Sequence, residues 1–294
     1  MIKIYNRQTK EYDIEKVAGG NLLNSLYGNG KLGLELLVKR KIYSAVTGIF
    51  CDMRLSAKSI DWFIKEYDID MTICKDKRED YKTFNDFFTR RVKTECRRFD
   101  TNVNFLPSPG DGRLRAWMDI DVENLVQVKG MTYSLKDLIG DEQLAYKYNG
   151  GICLILRLAP IDYHRFHFVD SGICSESKKI KGWYYSVNPV ALNSIPEVFC
   201  RNKREYSILH SENFGDVLYV EVGATSVGSI IQTYTPQVAV LKGEEKGYFK
   251  FGGSTSIIFI EKGFAVIDND IIEQTEKGYE TRVLAGEIIG RIKK

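Results

Sequence analysis

Two of the chain's three histidines lie three residues apart, His164 and His167 in Asp162-Tyr163-His164-Arg165-Phe166-His167. Such a pair can ligate a metal, can be satisfied structurally, or can do acid and base chemistry. No third ligand stands at a suitable spacing, and His210 lies in a polar stretch without a ligand pattern. Two other segments carry reactive types. In Pro107-Ser108-Pro109-Gly110-Asp111-Gly112, prolines and glycines hold a tight turn around one carboxylate, which reads either as an aimed Asp111 or as an ordinary Asp-Gly turn before a strand. In Phe251-Gly252-Gly253-Ser254-Thr255, two glycines leave the carbonyl before Ser254 sterically open and let the backbone take strained conformations. A hydroxyl attacking that carbonyl needs a base and a group that orients the base. Ser254, one of the two histidines and Asp111 would fill those roles, by the logic of serine–histidine–aspartate triads on unrelated folds.

These residues must be positioned by two kinds of element. The first hundred residues read as mostly helical. Ile60, Phe63, Ile64 and Tyr67 recur at helical spacing after a capping candidate at Ser56, and Phe84, Phe87 and Phe88 do so after Thr83, whose partner Asp86 completes a capping box. Leu34, Leu37, Ile42, Val46, Ile49 and Phe50 line one apolar face beside Lys39, Arg40 and Lys41, the pattern of an interfacial helix or of one packed on the protein's own core. From about Leu106 the texture changes to short β-rich runs between turn residues, among them Ile152 to Leu158, Val217 to Val222, Val238 to Leu241 and Ser256 to Ile260. The segment from Ala285 to Ile292 reads as a turn and a closing strand. The expected fold is α+β: a helical region over 1–100, then a mainly antiparallel β domain over 101–294.

Composition sets the outer limits. A chain of 294 residues with 44% hydrophobic content can bury one large core, or one core with a smaller helical attachment. Six cysteines without a Cys-x-x-Cys pair, and no N-terminal apolar stretch before a cleavage site, point to reduced thiols in a cytoplasmic protein. The net charge of +3 is unevenly spread, with clusters at Lys39–Lys41 and at Lys178, Lys179 and Lys181, so a mild attraction to anionic surfaces follows. No run approaches the roughly 18 residues that a spanning helix needs, which leaves peripheral membrane contact; no nucleic-acid motif is present.

Taken together, Pro-Gly-Asp111-Gly, Asp162 to His167, Val222-Gly223-Ala224-Thr225-Ser226-Val227-Gly228-Ser229-Ile230, Lys242-Gly243-Glu244-Glu245 and Gly252-Gly253-Ser254-Thr255 resemble the successive motifs of phosphatidylserine decarboxylase proenzymes, and Phe84 to Arg90 is similar to the aromatic segment ahead of them. The chain departs from that pattern at Gly110, where alanine or valine is commoner, and in Phe168-Val169-Asp170, which lacks a nearby proline.

The resemblance implies that Ser254 attacks the Gly253 carbonyl, that the resulting ester eliminates, and that Ser254 becomes a covalent pyruvoyl cofactor. The chain would then be cut into a β chain of residues 1–253 and an α chain of residues 254–294. It implies decarboxylation of phosphatidylserine to phosphatidylethanolamine and carbon dioxide through a pyruvoyl Schiff base, with no metal. By the same resemblance, His167 with Asp111 activates Ser254, His164 donates the proton in decarboxylation, and Asp162 orients a histidine. The implied partners are phosphatidylserine, the membrane surface on its cytoplasmic face and the chain's own fragments, with a homodimer one option and no nucleic acid. Two other classes fit the residues: a serine hydrolase using Ser254, His167 and Asp111, although Gly-x-Ser-x-Gly is absent, and a non-enzymatic peripheral lipid-binding module.

Overall fold

Ile152–Leu158 is apolar at every position except Arg157, as a strand covered on both faces must be, and all seven of its residues are buried. It lies at the middle of an eleven-stranded sheet, between Gly112–Trp117 on one side and Ser254–Ile260 on the other, antiparallel to both. Asp216–Gly223 follows beyond Ser254–Ile260, and then Arg204–Ser211. The computed structural model describes residues 2–15, 41–128, 130–187, 189–224, 229–252 and 254–293; for 41–46 and 190 only the backbone is described.

Alternation along these strands divides the core in two. Cys153, Ile155, Val220, Val222, Ile257 and Phe259 face one layer, while Leu154, Leu156, Leu158, Tyr219, Ile258 and Ile260 face the other. Three-stranded sheets flank this center. Arg165–His167 pairs with Glu245–Phe249, which pairs in turn with Ile230–Gln232. The closing strand expected near the end is Ile288–Ile292, held between Phe105–Pro107 and Ala265–Ile267. The fold is α+β, with a mainly antiparallel β region as expected.

The first hundred residues need a correction at their start. Ile2–Asn6 and Glu11–Glu15 form a hairpin, and Ile2–Asn6 runs parallel to Glu280–Val283, so the chain's beginning is an edge of the large sheet. Ile2 and Ile4 flank Lys3 in the first strand, a period of two that fits a strand, and Ile4 is buried while Ile14, paired with Lys3, is exposed. Helices do occupy the next described part, at Lys41–Asp52, Lys58–Tyr67 and Phe84–Phe88.

The capping box at Thr83 and Asp86 is present, each side chain accepting from the other's backbone N–H. Ser56 does something different from the expected cap. It is buried, donates to backbone carbonyls at Cys51 and Met53, and accepts from the Phe84 N–H at 2.9 Å, so it ties one helix to the next. Leu34, Leu37, Lys39 and Arg40 lie outside the described residues, as do the side chains of Ile42 and Val46.

Candidate active site

Ser254 opens its strand between Gly223 and Leu158 and is 1% exposed. Its hydroxyl lies 3.2 Å from Nδ1 of His164, which is fully buried. The other ring nitrogen, Nε2, lies 3.0 Å from the Ala159 carbonyl, an acceptor only. Nε2 therefore carries the proton, and Nδ1 presents its lone pair to Ser254. Burial, reinforced by the nearby Arg90 and Arg113 guanidinium groups, lowers the His164 pKa to about 3 and keeps the ring neutral.

The Ala159 carbonyl is itself held by a turn. Asp162 donates its backbone N–H to that carbonyl at 2.9 Å and accepts the Ala159 N–H on its carboxylate at 2.7 Å. Arg113 also binds this carboxylate, and Arg90 donates to the carbonyls of Ile161 and Asp162 at 2.9 and 3.1 Å. Asp162 thus connects to His164 through the backbone of Ala159 and makes no hydrogen bond to the ring. Burial pushes its carboxyl above the usual range.

The helix Phe84–Phe88 closes the other side. Phe88 stacks on the His164 ring with centroids 4.0 Å apart, and Phe251 meets Phe88 edge-on at 5.1 Å. Asn85 accepts the Phe251 N–H at 2.8 Å. One short aromatic helix therefore fixes both the histidine and the chain entering Ser254. Gly252 has φ 147°, a conformation that side-chain-bearing residues avoid; Gly253 lies outside the described residues.

His167 stands apart from Ser254. Its Nδ1 donates to the Gly243 carbonyl at 2.9 Å, which leaves Nε2 to accept from the Tyr163 hydroxyl at 3.1 Å. Partial burial lowers its pKa, while Glu245 and Asp111 act in the opposite direction. Asp111 is engaged elsewhere: Arg97 grips it with two bonds of 2.7 and 2.5 Å, and the Ala285 N–H adds a third at 2.8 Å. Its turn nevertheless touches His167, whose N–H donates to the Pro109 carbonyl at 2.8 Å. Gly112 shows why that turn needs glycine, since a Cβ there would lie 2.7 Å from the Arg157 carbonyl.

The structure thus brings Ser254 to His164 and the Asp111 turn to His167, but gives neither a Ser254–His167 nor a His167–Asp111 hydrogen bond among the described residues. Lys242-Gly243-Glu244-Glu245 joins the site through the Gly243 carbonyl and through Glu245, which pairs with Arg165 at 2.7 Å. Thr225 to Gly228 lie outside the described residues. Arg90, Arg97, Arg113 and Tyr163 were not identified by sequence reasoning. Arg90 and Tyr163 sit inside motifs that were noticed, but a buried arginine carries no local mark that separates it from a solvated one.

A family model described as phosphatidylserine decarboxylase matches residues 84–291. The chain belongs to the phosphatidylserine decarboxylase family. It is 63% identical over 292 residues to the phosphatidylserine decarboxylase proenzyme of Ruminiclostridium cellulolyticum, covering 99% of this chain and 97% of the relative. It is 59% identical over 292 residues to the proenzyme of Clostridium perfringens, covering 99% of both, and 56% identical over 295 residues to that of Clostridium botulinum, covering 100% of both. The two departures from the phosphatidylserine decarboxylase pattern are accommodated locally. A Cβ at Gly110 would meet the Arg165 carbonyl and Leu156 at 3.4 Å, so alanine would nearly fit. After His167, Asp170 anchors the loop by accepting from Ser211 at 2.6 Å and from Asn213 at 2.9 Å.

Proposed function

We propose that this protein converts phosphatidylserine to phosphatidylethanolamine and carbon dioxide, using a pyruvoyl group that it makes by cutting itself between Gly253 and Ser254. The observation that carries the reading is the position of the Ser254 hydroxyl, buried at the head of its strand directly after the Gly252-Gly253 pair and in contact with a histidine of the Asp162 to His167 motif. Burial of Ser254 favors an intramolecular substrate over the external ester or peptide of a hydrolase.

In the cleavage, the Ser254 oxygen bonds to the Gly253 carbonyl carbon and the Gly253–Ser254 C–N bond breaks, leaving an ester. Loss of the Ser254 α-proton expels the Gly253 carboxylate, and the dehydroalanine takes up water and releases ammonia. The residues around Ser254 fit the resulting group, since Ser254 is buried and the hydroxyls of the next two residues, Thr255 and Ser256, are buried without hydrogen-bond partners. The pyruvoyl group supplies a sink for the electron pair left by departing carbon dioxide.

We assign the base for cleavage to His167, assisted by Asp111, and the proton donor of decarboxylation to His164, whose Nδ1 faces Ser254 and would have to take up a proton in the mature site before giving it to the substrate. The charges support the first assignment: carboxylates near His167 oppose its pKa depression, whereas cations near His164 deepen it, and a base works best with a pKa near the working pH. The 3.2 Å contact favors a second reading, in which His164 also takes the Ser254 proton.

The membrane contact is assigned to the helical region, where Ile49, Phe50, Met53, Leu55 and Trp62 are 64%, 42%, 50%, 56% and 61% exposed. No described helix is long and apolar enough to cross a membrane. Reversing the charges of Lys39, Arg40 and Lys41 should weaken sedimentation with anionic vesicles, and salt should weaken wild-type binding. Unchanged binding would assign these charges no part in membrane contact.

The reading as a whole is tested on a gel. Wild-type protein should give fragments 1–253 and 254–294 and release carbon dioxide from phosphatidylserine, while Ser254→Ala should stay folded, uncut and inactive. A cut Ser254→Ala chain would refute it.

A further inference from the structure

The N-terminal hairpin ends in a buried carboxylate, Glu15, that reaches deep into the sheet. Glu15 accepts from Arg113 at 2.7 Å and from Arg157 at two bonds of 3.0 Å, and Arg157 also pairs with Glu280. Arg113, Arg157, Glu15 and Glu280 are 3%, 4%, 8% and 7% exposed. A buried ion network is no general device for stability, because desolvation offsets much of the attraction. Its value lies in fixed geometry. Arg113 spans two carboxylates, Glu15 through Nε and Asp162 through Nη1. Asp162 pins Ala159 by a pair of bonds, and the Ala159 carbonyl sets the orientation and tautomer of His164.

Resting on the proposed role of His164, we infer that Glu15 and Arg113 are positioning residues for that histidine: the hairpin aims Arg113, Arg113 aims Asp162, and Asp162 holds the carbonyl on which His164 turns. The chain of contacts links residues that are 98 and 49 positions apart in sequence. Positioning of this kind is sensitive, since a displacement of about 1 Å at a reacting group costs about a hundredfold in rate.

The test is a double-mutant cycle on the full chain, read in whichever step His164→Ala impairs, cleavage or carbon dioxide release. Glu15→Gln should slow that step about tenfold and Asp162→Asn about a hundredfold, and the double variant should be no slower than Asp162→Asn alone, because both act through one path. For carbon dioxide release, kcat should fall with KM unchanged. Arg113→Lys should behave like Glu15→Gln, since one ammonium keeps the charge but lacks the fork that spans two carboxylates, and it carries the test if Glu15→Gln is insoluble. Multiplying effects near a thousandfold, or a wild-type rate in Glu15→Gln or Arg113→Lys, would overturn the inference while leaving the self-cleavage reading intact. A wild-type chain that never cuts, or a His164→Ala chain normal in both steps, would overturn the reading beneath it.

Discussion

His164 and His167 lie three residues apart and burial lowers the pKa of both, yet the charges around them differ. His164 is fully buried under Phe88, with Arg90 and Arg113 as the nearby charges, and its ring is neutral with a pKa of about 3. His167 is partly exposed between Tyr163 and Phe99, with Glu245 and Asp111 favoring its charged form. His167 ends the strand Arg165–His167 while His164 stands just before it, which is how one motif reaches two environments. Two imidazoles so differently held are suited to different proton transfers; the proposed division of the chemistry between them comes from the family resemblance.

The largest effect that would break this comparison comes from removing each ring. His167→Ala should accumulate uncut chain, with cleavage slowed by about 10²- to 10⁴-fold, the usual worth of a general base. His164→Ala should still be cut, yet release carbon dioxide about 10²- to 10⁴-fold more slowly. A gel and a carbon dioxide assay on both variants decide the matter. Normal cleavage of His167→Ala together with blocked cleavage of His164→Ala would transfer the base to His164, in line with the 3.2 Å contact.

A smaller effect sharpens the comparison through stability. His164 is held neutral in the folded protein, so the unfolded chain binds the extra proton once the pH falls below the ordinary value of 6.5. The folded state should therefore lose stability as pH falls from about 6.5 toward 3, by about 2 kcal/mol at pH 5 for this group. Thermal unfolding of the uncut Ser254→Ala chain at pH 7 and pH 5 measures it, and a further His164→Gln change should reduce the difference. An equal loss with and without His164 would show that the ring is not held neutral.

Much of the candidate site is legible in the sequence because its residues are chemically conspicuous. A glycine pair before serine, a histidine pair and a proline-flanked aspartate stand out in any sequence, and the apolar run Ile152–Leu158 announces a doubly covered strand. The partners of those residues were less visible. Arg97 on Asp111 and Arg113 on Asp162 are long-range ion pairs, and nothing local distinguishes them from solvated arginines. The hairpin at residues 2–15 has little local signature, because only Ile2 and Ile4 mark its inward face, while Ile14 pairs with Lys3 on the opposite face and is exposed. Ser56 was a fair cap by position, but it bonds to the next helix instead, a tertiary choice that propensity does not encode.

The central claim is that Ser254 becomes the pyruvoyl group, and intact mass measurement of the purified protein tests it most directly. The account predicts a fragment spanning residues 254–294 that is lighter by one ammonia than the serine-started peptide and resistant to stepwise N-terminal degradation. A fragment of full serine mass, or active enzyme with a single uncut mass, would contradict it.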